Sequence, residues 1–177
     1  MYKIMIVDDE ENILKALRRV LAREKGWETE YFSSISKALR RANTNNFDLF
    51  LSDYRMPEMN GVDFLSQVKE LQPEAVRLIL SGFTDLEALM GAINEAQIFR
   101  FICKPWEDID LLATMKQALQ HRALLVENRR LADQVRAQRK QLDRQQAALE
   151  ELEAEHPGIT RVDRAPDGSI LLDEKKM

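Results

Sequence analysis

With 177 residues and a formal net charge of −4, the chain has room for one domain plus an extension, or for two small domains. No apolar run approaches the ~18 residues of a membrane span, and the first apolar stretch is short and ends in two acids, so a signal peptide is not expected and a cytoplasmic location is. The single cysteine, Cys103, cannot form an internal disulfide, and the acidic balance speaks against nucleic acid as the main partner.

In chain order, Lys3–Val7 reads as a buried strand. Asp8-Asp9-Glu10-Glu11 follows, then Ile13, Leu14, Leu17, Val20 and Leu21 at helical spacing, with Gly26 as the stop. Trp27–Phe32 reads as a second strand, and Ser33 or Ser34 as the cap of a helix carrying Ile35, Ala38, Leu39 and Ala42. Phe47–Ser52 is a third strand that stops at the carboxylate of Asp53. Pro57 closes the turn beyond it, and Asn60-Gly61 opens a helix over Gly61–Leu71. Ala75–Leu80 is the fourth strand, Asp85–Ala96 the fourth helix, Ile98–Cys103 the fifth strand, and Glu107 begins the fifth helix. Five strands alternating with five helices predict an α/β fold: a parallel five-stranded sheet with helices on both faces. The flavodoxin-like order 2-1-3-4-5 sets strand 1 between strands 2 and 3, and so places Asp8 and Asp9 beside Asp53.

Three carboxylates at one sheet edge cannot all ionise cheaply without a cation. They are hard oxygen ligands, and Mg²⁺ (or another divalent ion such as Mn²⁺) suits one or two of them together with water and phosphate oxygens. An aspartate beside such an ion can take up a phosphoryl group as an aspartyl-phosphate. Strand 4 ends at Ser81-Gly82 and offers a hydroxyl; strand 5 ends at Lys104-Pro105 and offers an ammonium. Taken singly, an Asp pair after a strand is most simply a helix cap, and Ser81 and Lys104 are ordinary loop residues. Four such groups at four strand ends of one sheet point instead to a phosphoryl site.

At these residues the sequence resembles the receiver domain of two-component response regulators. The motifs are Val7-Asp8-Asp9-Glu10, Ser52-Asp53-Tyr54-Arg55-Met56-Pro57 with Asn60-Gly61, Leu80-Ser81-Gly82, and Phe101-Ile102-Cys103-Lys104-Pro105-Trp106. The last of them is similar to receivers found in front of cyclic-dinucleotide phosphodiesterase modules. The resemblance covers about residues 2–120. It implies that Asp53 accepts phosphate from a histidine kinase or a phosphotransfer protein. It implies that Asp9, Asp53 and the backbone carbonyl of Arg55 ligate the metal, with Asp8 acting largely through water. It further implies that Ser81 and Phe101 form a switch pair, that Lys104 contacts the phosphoryl group, and that the Lys104–Pro105 bond is cis. From residue type alone, Phe101 reads equally well as core. Serine stands at position 81 where threonine is commoner in the family; the hydroxyl is kept.

A bare receiver, residues 1–120, ends with its fifth helix near residue 120, but no stop signal appears there. Helix-forming composition runs from Glu107 to about Glu155, ending at His156-Pro157-Gly158. Such a helix is ~70 Å long. Within residues 121–156, Asn128, Val135, Leu142 and Leu149 interleave with Leu124, Leu131, Gln138, Gln145 and Leu152 at a/d spacing. This predicts a parallel two-stranded homodimer of modest stability through residues 121–153; a solvated helix or an antiparallel pair are the alternatives. In residues 157–177, Ala165-Pro166-Asp167-Gly168 between two alternating runs predicts a small β-hairpin, the alternative being an unstructured tail.

These features predict a dimeric phosphoryl-accepting regulator and not an enzyme, beyond accepting and losing its own phosphoryl group. Phosphorylation would alter the face made by the fourth helix, fifth strand and fifth helix, and output would run through a downstream protein target, with no direct DNA binding and no membrane contact. A Mg²⁺-dependent aspartyl-phosphate phosphohydrolase is a second reading. It is opposed by Arg55, which stands where haloacid-dehalogenase-type phosphatases carry a second aspartate. A structural coiled-coil adaptor with a degenerate receiver is a third, opposed by the intact acidic cluster.

Overall fold

In the computed structural model, residues 1–82 and 96–157 are described. Two compact units divide the chain, Met1–Glu127 and Asn128 onward. The first holds strands β1 (Tyr2–Val7), β2 (Trp27–Phe32), β3 (Leu49–Asp53), β4 (Val76–Gly82) and β5 (Arg100–Lys104), and helices α1 (Glu11–Leu21), α2 (Ile35–Thr44) and α3 (Gly61–Leu71). A long helix, Asp108–Glu155, follows. All strand pairs are parallel, in the order β2-β1-β3-β4-β5. The expected fourth helix lies outside the described residues except at Ala96, and so does the expected hairpin after Pro157.

Alternation along the central strands decides the layering, because successive side chains leave a strand on opposite faces. Ile4 and Ile6 of β1, Leu49 and Leu51 of β3 and Leu78 and Leu80 of β4 pack under Leu14 and Leu17 of α1 and under Leu111, Met115 and Ala118 of the long helix. Met5 and Val7, Phe50 and Ile79 pack on the other face with Ile35 and Ala38 of α2 and with Phe64, Leu65 and Val68 of α3. Among the described residues two helices cover each face, and both sides of the sheet are buried, as a parallel sheet requires.

Strand limits differ from expectation where polar groups extend or shorten a ladder. The apolar run opening at Phe47 enters β3 only at Leu49, because the Phe47 amide donates instead to the buried Gln72 side chain at 2.7 Å. Asp53 is the last residue of β3, in register with Leu80, and does not lie beyond its end. Ser81 and Gly82 belong to β4, paired with Cys103 and Lys104, so that strand runs past the expected Leu80. β5 begins at Arg100, not at Ile98, after Gln97 takes a left-handed turn with φ 48°.

The first unit runs to Glu127 because the long helix stays tied past residue 120. Arg122 Nη1 lies 2.8 Å from Asp48 Oδ1, and Asp48 Oδ2 accepts the Lys3 amide at 2.6 Å. Lys116 pairs with Glu24 at 2.8 Å, and the His121 ring lies against Phe99 with centroids 5.0 Å apart. Two residues beyond Arg122, Leu124 is exposed, and so is Leu125. In the second unit Leu131, Val135, Leu142, Leu149 and Leu152 are exposed, and the ties are local, such as Asp133 to Arg136 at 2.8 Å.

Candidate functional site

β1, β3, β4 and β5 each deliver one polar side chain to the same edge of the sheet. Asp8 directly follows β1 and is fully buried, its Oδ1 accepting the Glu10 amide at 2.9 Å. Asp53 ends β3 and is buried. Its Oδ2 accepts the Arg55 amide at 3.0 Å, so the loop beyond the strand orients the carboxylate. Lys104 ends β5. Its Nζ lies 2.6 Å from Asp53 Oδ1 and 2.8 Å from Asp8 Oδ2, with Glu10 Oε1 at 3.9 Å. Sharing one ammonium, the two buried carboxylates lie no further apart than those two short contacts allow.

The charges hold one another in place. Burial raises the Asp8 pKa above its ordinary 3.8, and the hydrogen bond from Lys104 only partly offsets this. Burial opposes the charge on Lys104, but the hydrogen bonds to Asp53 and Asp8 outweigh it, and its pKa is raised above 10.5. The Lys104–Pro105 bond is cis.

Of the three carboxylates expected at this edge, two are drawn together around one ammonium. Asp8 and Asp53 meet at Lys104, whereas Asp9 is exposed. Asp9 lies in the bend just beyond β1. Among the described residues no group of three His, Cys, Asp or Glu side chains is drawn together tightly enough to hold a metal. Two carboxylates nevertheless fit Mg²⁺, which keeps several waters.

Ser81 is buried near the end of β4, and its Oγ has no hydrogen-bond partner among the described residues. A buried hydroxyl without a partner costs about 1–3 kcal/mol, so this group is suited to a ligand oxygen. The register of β4 and β5 puts Ser81, Cys103 and Phe101 on one face of the sheet. Phe101 is 37% exposed, which excludes the plain core reading of that ring. Arg55 brings its backbone to the site through the loop bond to Asp53.

Two contributors were not legible in the sequence. Glu10 approaches Lys104 as a third acid. Glu58, in the loop after Asp53, hydrogen-bonds α2 at Ile35 and Ser36, more than twenty residues away. Nothing local signals either contact.

Comparison with known proteins gives these positions a family. The family described as "Response regulator receiver domain" matches residues 4–116. Over 128 residues the chain is 38% identical to the hydrogenase transcriptional regulatory protein HoxA of Cupriavidus necator, covering 72% of this chain and 26% of that one. The chain thus spans about a quarter of the length of that curated relative. Among solved structures, one described as adenylate cyclase from Rhodopirellula baltica superposes with a TM-score of 0.70 at 30% identity, covering 75% of this chain and 97% of that one. The signal receiver domain of an HD domain-containing protein from Pseudomonas fluorescens gives 0.67 at 32% identity, covering 71% and 92%. With the family matched over residues 4–116 and these relatives at 30–38% identity, the chain belongs to the response regulator receiver family.

Proposed function

We propose that Asp53 is the phosphoryl acceptor of a two-component signalling pathway and that Asp8, Asp9 and the Arg55 carbonyl complete a Mg²⁺ site beside it. The observation that carries this reading is the buried acid pair around Lys104 at the same sheet edge as the Ser81 hydroxyl, which has no partner among the described residues. The donor is a histidine kinase or a phosphotransfer protein. A carboxylate oxygen of Asp53 forms the new P–O bond while the P–N bond to the donor histidine breaks, and the electron pair of that bond stays with the ring nitrogen. Mg²⁺, when bound, neutralises charge on the phosphoryl oxygens. Lys104 leaves its place between the two acids to meet one phosphoryl oxygen, and Ser81 donates to another. The Ser81 movement draws Phe101 inward from its exposed position.

The protein is not a turnover enzyme on this reading. Arg55, two residues after the acceptor, supplies no acid for a phosphohydrolase. Incubation with acetyl phosphate and Mg²⁺ is expected to add one phosphoryl group, mapped by mass spectrometry to the peptide holding Asp53. A chain that gains none, or gains it elsewhere, overturns the proposal.

Output then runs along the long helix. Leu131, Val135, Leu142, Leu149 and Leu152 are exposed at a/d spacing, and the support for a parallel homodimer is that this stripe finds cover on an in-register second copy. In a Cys103→Ser background, Leu142→Cys is expected to crosslink under mild oxidation, faster after acetyl phosphate treatment. No crosslink argues for an antiparallel or single helix; an identical yield and rate in both states refutes the coupling to phosphorylation.

A further inference from the structure

Ser34 occupies the N-cap of α2 with an extended backbone, yet its side chain makes no capping bond. The orphan amides of that helix start are met from elsewhere. Glu58 Oε1 accepts from the Ile35 amide and Oε2 from the Ser36 amide, each at 3.1 Å, and the Ser36 hydroxyl also donates to Oε2. The Ser36 side chain first, then the Ser34 side chain and the Ser36 and Ile35 amides, hold the Glu58 carboxyl below the usual glutamate range. Glu58 sits on the loop between Asp53 and Gly61. That loop is closed at its base by Gly61 N to Tyr54 O at 2.8 Å, and its Arg55 amide holds Asp53 Oδ2.

We propose that Glu58 is a positioning residue for phosphoryl transfer: by clamping the acceptor loop to the start of α2, it fixes the Arg55 amide and carbonyl and thereby the orientation of the Asp53 carboxylate. The inference rests on Asp53 being the acceptor. It assigns the clamp a role that capping of α2 alone does not explain. A cap needs only a local acceptor at the N-cap, yet the Ser34 side chain is itself a partner of Glu58. Using a distant carboxylate couples two segments that the sheet order does not otherwise join. The loop is then held at Tyr54 and Gly61 by its base bond and at Glu58 by the clamp, and the Arg55 amide that orients the acceptor lies between Tyr54 and Glu58.

Three variants separate clamp from cap. Glu58→Ala is expected to slow phosphorylation by acetyl phosphate roughly three- to tenfold. It should also speed amide hydrogen exchange at Ile35 and Ser36, and at Arg55. It should weaken Mg²⁺ binding, followed by the fluorescence of Trp106. Glu58→Gln, which keeps one acceptor, should fall between. Ser34→Asp in the Glu58→Ala background supplies a local cap, so exchange at Ile35 and Ser36 should slow again while the phosphorylation rate and Arg55 exchange stay impaired. Recovery of the rate in that double variant reduces Glu58 to a cap and overturns the proposal. So does a wild-type rate in Glu58→Ala. Failure of the unaltered protein to take up any phosphoryl group refutes the acceptor reading instead, and the Arg55 exchange and Mg²⁺ titration still judge the clamp.

Discussion

Lys104→Met is expected to destabilise the protein by about 2–3 kcal/mol at neutral pH and to abolish detectable phosphoryl uptake. Removing one partner from a buried ion pair costs about 3–5 kcal/mol, because the other charge is left buried and unmet. The lower figure applies here because the Lys104 side chain keeps 18% of its surface in water. Two carboxylates lose their cation together, since Asp8 and Asp53 share it.

The pH dependence has a definite sign. The Lys104 pKa is raised above 10.5 in the folded protein, so its stabilisation is fully present below 10.5 and is lost as pH rises through the folded value. The Asp8 pKa is also raised, so its contribution runs the same way: present below 3.8 and lost as pH rises through the folded value. Without Lys104 that second loss deepens. The deficit of the variant against the unaltered protein should therefore be small in acid and grow toward neutral pH. Denaturant unfolding between pH 4 and pH 8 checks it (roughly the window in which a raised carboxylate titrates). A deficit that does not change with pH would sink the shared-cation account. Asp8→Asn in the same background should restore part of the stability.

Gly61→Ala is expected to cost about 3 kcal/mol or more and to lower the melting temperature by roughly 10 °C. A Cβ at this position would stand 1.9 Å from the Asp53 carbonyl oxygen and 2.9 Å from its carbon, with Ser52 Oγ at 3.0 Å. The first two atoms are backbone and cannot swing aside. Relief requires either a shift of the acceptor's own peptide or loss of the Gly61 N to Tyr54 O bond. Both alternatives disturb Asp53, so phosphorylation at a temperature where the variant is folded should slow at least tenfold. Melting within about a degree of the unaltered protein, with normal uptake, would show that the glycine is dispensable.

The fold was legible because the central strands are buried on both faces and read as unbroken apolar runs between helical periods. Lys3–Val7 and Trp27–Phe32 needed at most one residue of adjustment, and Gly61–Leu71 none. Ends were less legible, because a polar residue ends an apolar run without ending a ladder. Ser81 and Asp53 both continue their strands by backbone pairing that hydropathy does not record. At the site, residue types and their strand ends named Asp8, Asp53, Ser81 and Lys104. Their mutual arrangement was hidden: that Lys104 lies between two acids follows from charge pairing between residues far apart in sequence. Glu58 was the least visible. Ser34 looked like the cap of α2, and the residue that does that work lies more than twenty positions later in sequence.

The strand order also says when in folding the acidic site comes into being. No neighbouring pair in the sheet is a hairpin, so each ladder closes a long loop before it gains a hydrogen bond, and such topologies fold more slowly than those built of local contacts. The widest separation of all is between β1 and β3, where Ile4 pairs with Leu49. That same pairing sets Asp8 beside Asp53. β1 therefore waits longest for one of its two neighbours, and the acceptor site is a property of the assembled sheet rather than of any contiguous fragment of it.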